Sequence, residues 1–580
     1  MKCSFWLGLL LFITVSASAL EVQQARWGFD GQVVPGRFNL LSVLVANNSA
    51  APFDGSMSFY KSRGLEQRVG AIYATPCYLS PLASRWLQFY VFIDNQYDQW
   101  RLEWGRGPDD HHDVDSAKWG FPAQVLLADS DTVSAISAFR QFPDELFPPT
   151  VAATGGLDSL LLDHVPRWEP AKRRAFLEWL QAGGKVHVLK GADGRYPVFT
   201  DELSVLNSSE DRTRIGLGVA VRHAATAAHI QKQDVDSHDA GKKSKLEDTN
   251  TAFQTTNTLL GSLSRLSRAR LEWGLIYLLA IVYLGFVGPG NFLMGRRLAD
   301  YRLRIAVLVA TVAGFALLFN FVGRRGQSEA SVVHTLSYAR VIDGDTYDVM
   351  QWINVFAARG GHYTITHSAP HNIYSTGQDY ESVNGWIESG KDGRFIVDMP
   401  MFSRRGLLHE AEMKGADIGV KIVDWTGAKS LKKLTLSAQP DFTKQILDGW
   451  VVQGDQIYAM TLAGGQIEFE DSRKQPLSSS LSPSGQQQPS AYAYANNPYA
   501  ADPTDADVEQ QFRKLAKPLI AWSLGISESQ PQSTLPQAVD GRVQLFLFAR
   551  SPQSFGVAGG QFGREIGYVL YRLDLFKPGP

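Results

Sequence analysis

The sequence predicts a multidomain protein that combines α/β and all-β parts with a pair of transmembrane helices. Three observations predict it. The chain has 580 residues, too many for one hydrophobic core. Short β-branched and aromatic runs, punctuated by Gly, Pro, Asn and Asp, fill both ends. Two long apolar runs without a charge lie near the middle. Charge narrows the function classes: 56 Lys+Arg against 58 Asp+Glu leave a formal net of -2. No basic surplus exists to neutralise a phosphate backbone, so nucleic acid is not an expected partner. A hydrophobic fraction of 44% and a charged fraction of 20% fit neither wholesale disorder nor a polytopic transporter.

Residues 1–19 place Lys2 before an apolar run from Phe5 to Val15 and end in Ser16-Ala17-Ser18-Ala19, the order of a secretory signal peptide. Cleavage would leave Cys77 alone, so no intramolecular disulfide is expected. Cys77 lies in the strand-like run Ile72 to Leu79 without a neighbouring His or a glycine elbow, which reads as structural. Residues 20–120 carry strand-like runs at Asn39 to Ala46, Ser56 to Tyr60, Leu87 to Ile93 and Gln99 to Trp104, the spacing of a β-sandwich.

Residues 121–223 alternate strand and helix, which predicts a parallel, flavodoxin-like α/β domain. Strands are expected at Gln124 to Ala128, Asp158 to Leu162 and Lys185 to Leu189, with a helix over about 169–182. Pro170 suits the first turn of that helix and Gly183 its left-handed end. Residues 224–273 turn polar, as a tether would. Within residues 274–322, Gly274 to Met294 and Ile305 to Val322 hold no charge, and each is long enough to cross a hydrocarbon layer. Arg296, Arg297, Arg302 and Arg304 occupy the connection; the export signal makes that loop cytoplasmic and puts both large parts outside. Residues 330–470 read as a second β-rich domain. Residues 471–505 are a Ser-, Pro- and Gln-rich low-complexity linker, and 506–580 a helix followed by two strong strands.

Two constellations could carry chemistry. Asp109, Asp110, His111, His112, Asp113 and Asp115 crowd one short stretch, with oxygen ligands for Ca²⁺ or Mg²⁺ and imidazoles for Zn²⁺. Their lack of an ordered ligand spacing reads as a solvated linker. Asp163 and His164 follow a strand of the α/β part, where ligands gather. A catalytic dyad there needs a nucleophile, and Thr154 and Ser159 have no glycine elbow. The chain contains no P-loop, HExxH or GxSxG motif, and no cofactor is expected.

Several short motifs then carry a resemblance: Gly36-Arg37-Phe38-Asn39-Leu40, Phe53-Asp54-Gly55, Gly156-Leu157-Asp158, Phe176 to Trp179 with Gly183-Gly184, Gly288-Pro289-Gly290-Asn291-Phe292 before Arg296-Arg297, and Leu447-Asp448-Gly449. With them the chain resembles a group of bacterial envelope membrane proteins. These have an exported β-sandwich, a degenerate class I glutamine amidotransferase-like domain and a transmembrane pair. Active amidotransferases of that class use a Cys with His and Glu, and residues 121–223 contain no Cys. The resemblance therefore implies the fold without the chemistry. The expected function is an integral inner-membrane protein whose periplasmic parts bind or scaffold an envelope protein or polymer without catalysis. The alternatives are an envelope hydrolase or metal-dependent enzyme built on the α/β domain, and an accessory subunit of an export or secretion complex.

Overall fold

The computed structural model describes residues 20–578 apart from 64–66, 96, 106, 108, 130–136, 237–248, 267–272, 298–299, 328–330, 378–381, 428–429, 464, 482–504 and 527–540. The expected signal peptide, and most of the expected low-complexity linker, lie outside the described residues. Strand dominates over helix, and the strands form several mixed sheets.

The N-terminal strands are β1 (Leu20–Trp27), β2 (Arg37–Asn47), β3 (Phe53–Arg63), β4 (Gln67–Leu79), β5 (Ser84–Ile93), β6 (Gln99–Glu103) and β7 (His111–Val114). β1, β2 and β5 make one three-stranded antiparallel sheet, and β4, β3, β6 and β7 lie side by side in another. Alternation drives this: Phe38, Leu40 and Phe92 point one way, Leu41, Val43 and Phe89 the other, so the small sheet is buried on both faces.

The α/β part contains β8 (Ala123–Ala128), β9 (Arg140–Pro143), β10 (Leu157–Leu162), helix α1 (Pro170–Gln181), β11 (Lys185–Lys190), β12 (Arg212–Ile215) and β13 (Gly218–Thr226). Their order is β12-β13-β11-β10-β8-β9, parallel except for β12. α1 buries Ala175, Phe176, Trp179 and Leu180. It closes as the sequence predicts: Gly184 N–H bonds Trp179 O at 3.0 Å and Gly183 N–H bonds Leu180 O at 3.0 Å. Gly183 adopts a φ of 117°, where any side chain is strained.

The expected tether differs from what the chain does. After α2 (Lys232–Asp236), helix α3 spans Thr249–Leu266, and its Leu259, Leu260 and Leu263 are buried in the main core. Three leucines on one helical face outweigh the polar average of the stretch. Their seat is made by glycine, since a Cβ at Gly377 would meet Leu260 Cδ1 at 2.1 Å.

The apolar pair follows: α4 (Trp273–Gly285), a π turn (Phe286–Gly290), α5 (Asn291–Arg297) and α6 (Tyr301–Gln327). Pro289 has no N–H to give, and the Asn291 N–H reaches back five residues to Phe286 O. Among the described residues, only Tyr301–Phe319 within α6 is a helix long and apolar enough to cross a membrane, where two spans were expected; Tyr277–Leu293 is a shorter apolar stretch. That shorter stretch runs on through the π turn without a break in the helix.

The second half brings β14 (Val332–Asp343), β15 (Thr346–Ala357), β16 (Gly361–Ile365), β17 (Ile373–Thr376), β18 (Ser382–Glu388), β19 (Arg394–Met399) and β20 (Ser403–Lys414). Next come β21 (Lys421–Thr426), β22 (Lys433–Ser437), α7 (Pro440–Thr443), β23 (Ile446–Gln453), β24 (Gln456–Ala459), β25 (Thr461–Ala463), β26 (Gln466–Glu470), β27 (Lys474–Pro476) and α8 (Leu477–Leu481). The chain ends with α9 (Asp505–Leu524), β28 (Arg542–Arg550) and β29 (Arg564–Phe576). β29 pairs in parallel with β14, and β28 with β23, so the C-terminal segment lies inside a nine-stranded sheet, β17-β20-β15-β14-β29-β28-β23-β24-β27. The described start of the expected low-complexity linker supplies its edge strand β27. β21, β22, β26 and β25 form a four-stranded sheet.

The β-sandwich expected at 20–120 and the β-rich domain expected at 330–470 are not separate. β18 pairs in parallel with β4, aligning Ile387 with Tyr73 and Glu388 with Ala74, so strands from before and after the apolar pair share one seven-stranded sheet, β16-β19-β18-β4-β3-β6-β7. Their core is common too: Val43, Phe59 and Trp100 pack in one cluster with Val355, Ile387 and Val397. Tyr73 Oη and Ser375 Oγ, 2.8 Å apart, form a buried hydrogen bond across the joint.

Candidate functional site

The Asp109 to Asp115 stretch is a loop only at its ends, Asp109, Asp110 and Asp115. His111–Val114 is edge strand β7, paired with β6 so that Arg101 faces Asp113 and Leu102 faces His112. Successive side chains of a strand point to opposite faces, so His111 and His112 cannot converge on one ion. The remaining acids have other work. Asp113 accepts from Arg101 Nε at 2.7 Å, and that bond holds its carboxyl below the usual range. Asp110 accepts the Gly107 N–H at 2.8 Å, and Asp109 and Asp115 are exposed. Among the described residues, no group of three or more His, Cys, Asp or Glu side chains could hold a metal.

Asp163 and His164 do come together at the carboxyl end of β10, with Asp163 Oδ1 and His164 Nδ1 2.8 Å apart. The hydroxyls nearest in sequence are engaged elsewhere: Thr154 Oγ1 donates to Val151 O at 2.6 Å and Ser159 Oγ to Asp158 Oδ2 at 2.7 Å. The pair thus forms a local turn contact without a nucleophile from either hydroxyl. Cys77 is buried, and burial pushes its thiol up, away from the reactive thiolate.

What the fold assembles instead is a seam of charge between the α/β part and the nine-stranded sheet. Register lines it up: Arg340 on β14 opposes Asp348 on β15, which opposes Glu412 on β20, while Arg340 also lies beside Arg572 on β29. Arg340 Nη2 meets Asp348 Oδ2 at 2.7 Å. From the other layer, Arg174 of α1 donates from Nε to Glu178 Oε1 at 2.6 Å and from Nη2 to Glu412 Oε1. Arg37, at the start of β2, reaches the same seam, its guanidinium 5.6 Å from the Trp522 ring of α9.

Two carboxyl pairs sit in this seam. Glu178 shares a hydrogen bond with Glu412, and burial followed by the Glu412 charge pushes Glu178 up to about 8. Glu410 shares one with Asp348, and burial followed by Asp348 holds it well above the usual carboxylate range. Like charges this close cannot both ionise cheaply, so a proton bridges each pair at neutral pH. At the far end, burial works against Asp574, but Arg572 and Arg542 outweigh it and hold that carboxyl below the usual range. The chemistry on offer is adhesion: five guanidiniums and two shared protons clamp α1, β2 and the large sheet together. Glu410 and Glu412, two residues apart and alternating with His409, Ala411 and Met413, are the sequence signal that both acids face one way.

No protein-family model and no curated protein sequence matches the chain. Among solved structures it is similar to a cycloisomaltooligosaccharide glucanotransferase of Paenibacillus sp. complexed with cycloisomaltoheptaose. The identity is 7% over 79% of this chain and 98% of that one, and the TM-score is 0.17. A likeness that slight carries no argument about fold or activity.

Proposed function

We propose that this chain is a membrane-anchored scaffold or binding protein of the bacterial envelope, with both soluble halves outside the cytoplasmic membrane and no catalysis of its own. The observation that carries the reading is the parallel pairing of β18 with β4. Halves that share a sheet lie on one side of any bilayer, so the hairpin between them crosses an even number of times. Two crossings fit the apolar arms: Trp273–Arg297 is 25 helical residues counting its π turn, a rise of about 37 Å. The Tyr301–Phe319 window of α6 is 0% buried in the protein. Leu278, Ile281, Leu284 and Phe292 on one arm, and Ile305, Val309 and Leu317 on the other, are exposed. A stalk with that much open apolar surface needs hydrocarbon around it.

Above the stalk, the shared sheet and the charge seam supply rigidity, which suits a platform that holds a partner at a set distance from the membrane. The test is a pair of fusions. Alkaline phosphatase at the C-terminus should be active, and green fluorescent protein inserted at 298–299 should fluoresce in the cytoplasm. A fluorescent C-terminal fusion with an inactive C-terminal phosphatase would overturn the reading.

A further inference from the structure

We infer that the far end of the hairpin holds a site for the phosphate-bearing headgroup of an anionic phospholipid. The inference rests on the membrane reading above. A cavity of about 380 Å³ lies between α5 and the first turns of α6, lined by Asn291, Phe292, Arg296, Arg304, Ile305 and Leu308. At roughly 30 Å³ per water it could take about a dozen, room for a headgroup and the start of its glycerol. Its lining is divided as a lipid is. Two guanidiniums and an amide offer donors to a phosphodiester, and Phe292, Ile305 and Leu308 offer an apolar wall to what hangs from it.

Position agrees with chemistry. Both ends of the hairpin, Trp273 and Gln327, join the soluble body, so the connection between α5 and α6 lies a full helical arm away, at the opposite interface of the bilayer. Four arginines there, Arg296, Arg297, Arg302 and Arg304, face a single acid, Asp300, a local excess of three positive charges (4 − 1). Asp300 caps the start of α6, its carboxylate accepting the Arg302 N–H at 2.9 Å and its carbonyl the Arg304 N–H at 3.3 Å. The Arg296 guanidinium lies 4.9 Å from the Phe292 ring centroid, held one turn along the same helix. Because only Arg296 and Arg304 of the four line the cavity, a built site and a diffuse basic surface make different predictions.

The experiment uses the full-length protein. Alkaline carbonate extraction of membranes comes first; release into the supernatant overturns the membrane reading and the inference with it. Retained protein is then purified in nonionic detergent and titrated with dioctanoyl-phosphatidylglycerol or dioctanoyl-phosphatidylcholine under native mass spectrometry. The expected result is preferential binding of the glycerol lipid, weakened roughly thirtyfold in R296Q/R304Q and little changed in R297Q/R302Q. Equal losses in the two double variants, or equal binding of both lipids, would overturn the site while leaving the membrane reading intact. Displacement of the lipid by millimolar inorganic phosphate would assign the cavity to a soluble phosphate, and overturn the lipid assignment.

Discussion

Replacing Glu178 with glutamine should flatten the alkaline side of this protein's stability profile. In the folded chain Glu178 keeps its proton to about pH 8, against an ordinary value of 4.5, because it is buried beside Glu412. The unfolded chain releases that proton above pH 4.5. Stability from this group is therefore fully present below about pH 4.5, falls as pH rises, and levels off above about 8. At about 1.4 kcal/mol per unit, 3.5 units (8 − 4.5) set an upper bound near 5 kcal/mol. Both side chains are about a tenth exposed, at 11% and 12%, and the proton is shared, which leaves roughly 2 kcal/mol. Glutamine copies the protonated carboxyl in shape and cannot ionise. E178Q should match the parent at pH 4.5 and melt about 4–8 °C higher at pH 8.5, if the cooperative unit is 150–250 residues. The assay is thermal unfolding of the full-length protein in detergent, followed by intrinsic fluorescence at both pH values. A variant that tracks the parent at both, or loses the same stability at both, would refute the shared-proton seam.

Other outcomes are equally checkable. A74C/E388C should form a disulfide that keeps the two halves joined on a denaturing gel after cleavage in the hairpin, since Ala74 and Glu388 are register partners; no crosslink would count against the shared sheet. Burial lowers His334 to about 4 and His367 to about 3, so acid must weaken the fold: the unfolded chain takes up protons below about pH 6.5 that the folded chain refuses. Unfolding should become easier between pH 6.5 and 4, by at most about 1.4 kcal/mol per unit for each histidine, with the slope reduced in H334Q. At Gly183 a Cβ would meet only Leu217 Cβ at 3.9 Å, so G183A should lose about 1 kcal/mol from its φ of 117° alone. At Gly218 a Cβ would lie 2.0 Å from Leu180 O, so G218A should lose about 3 kcal/mol or more; similar melting points for the two would refute this packing. Zn²⁺ and Ca²⁺ should leave the melting point unchanged, because the β7 side chains diverge; a metal-dependent rise abolished by H111A/H112A would show otherwise.

His409 shows how tightly the second half is specified around a group that no local pattern marks. Its two ring nitrogens meet Gln351 Oε1 at 2.7 Å and Asn372 Oδ1 at 2.9 Å, and its ring stacks 3.8 Å from His367. Both amides are held in orientation by their own donors: Gln351 Nε2 gives to Phe555 O and Asn372 Nδ2 to Ala369 O. The partners lie 58 and 37 residues away in sequence. This buried polar core is built from β15, β20 and the connection between β16 and β17, and the sequence offers only a histidine in a strand.

By itself the sequence determined what is local. The helix from Pro170, its glycine end, the β8-β10-β11 alternation and the apolar stretches around Tyr277 and Tyr301 follow from side-chain period, caps and chain entropy, each settled within one or two turns. It also shows that residues 121–223 hold no Cys, since residue identity needs no geometry. Only the tertiary structure decided that β4 and β18 are neighbours, that the polar stretch after residue 224 contains a core helix, that Arg174 meets both Glu178 and Glu412, and that Arg340 meets Asp348. Side-chain period tells a strand which face to bury, but the hydrogen bonds that choose its neighbour come from backbone groups every residue carries alike, so pairing across 300 residues is written in no local pattern.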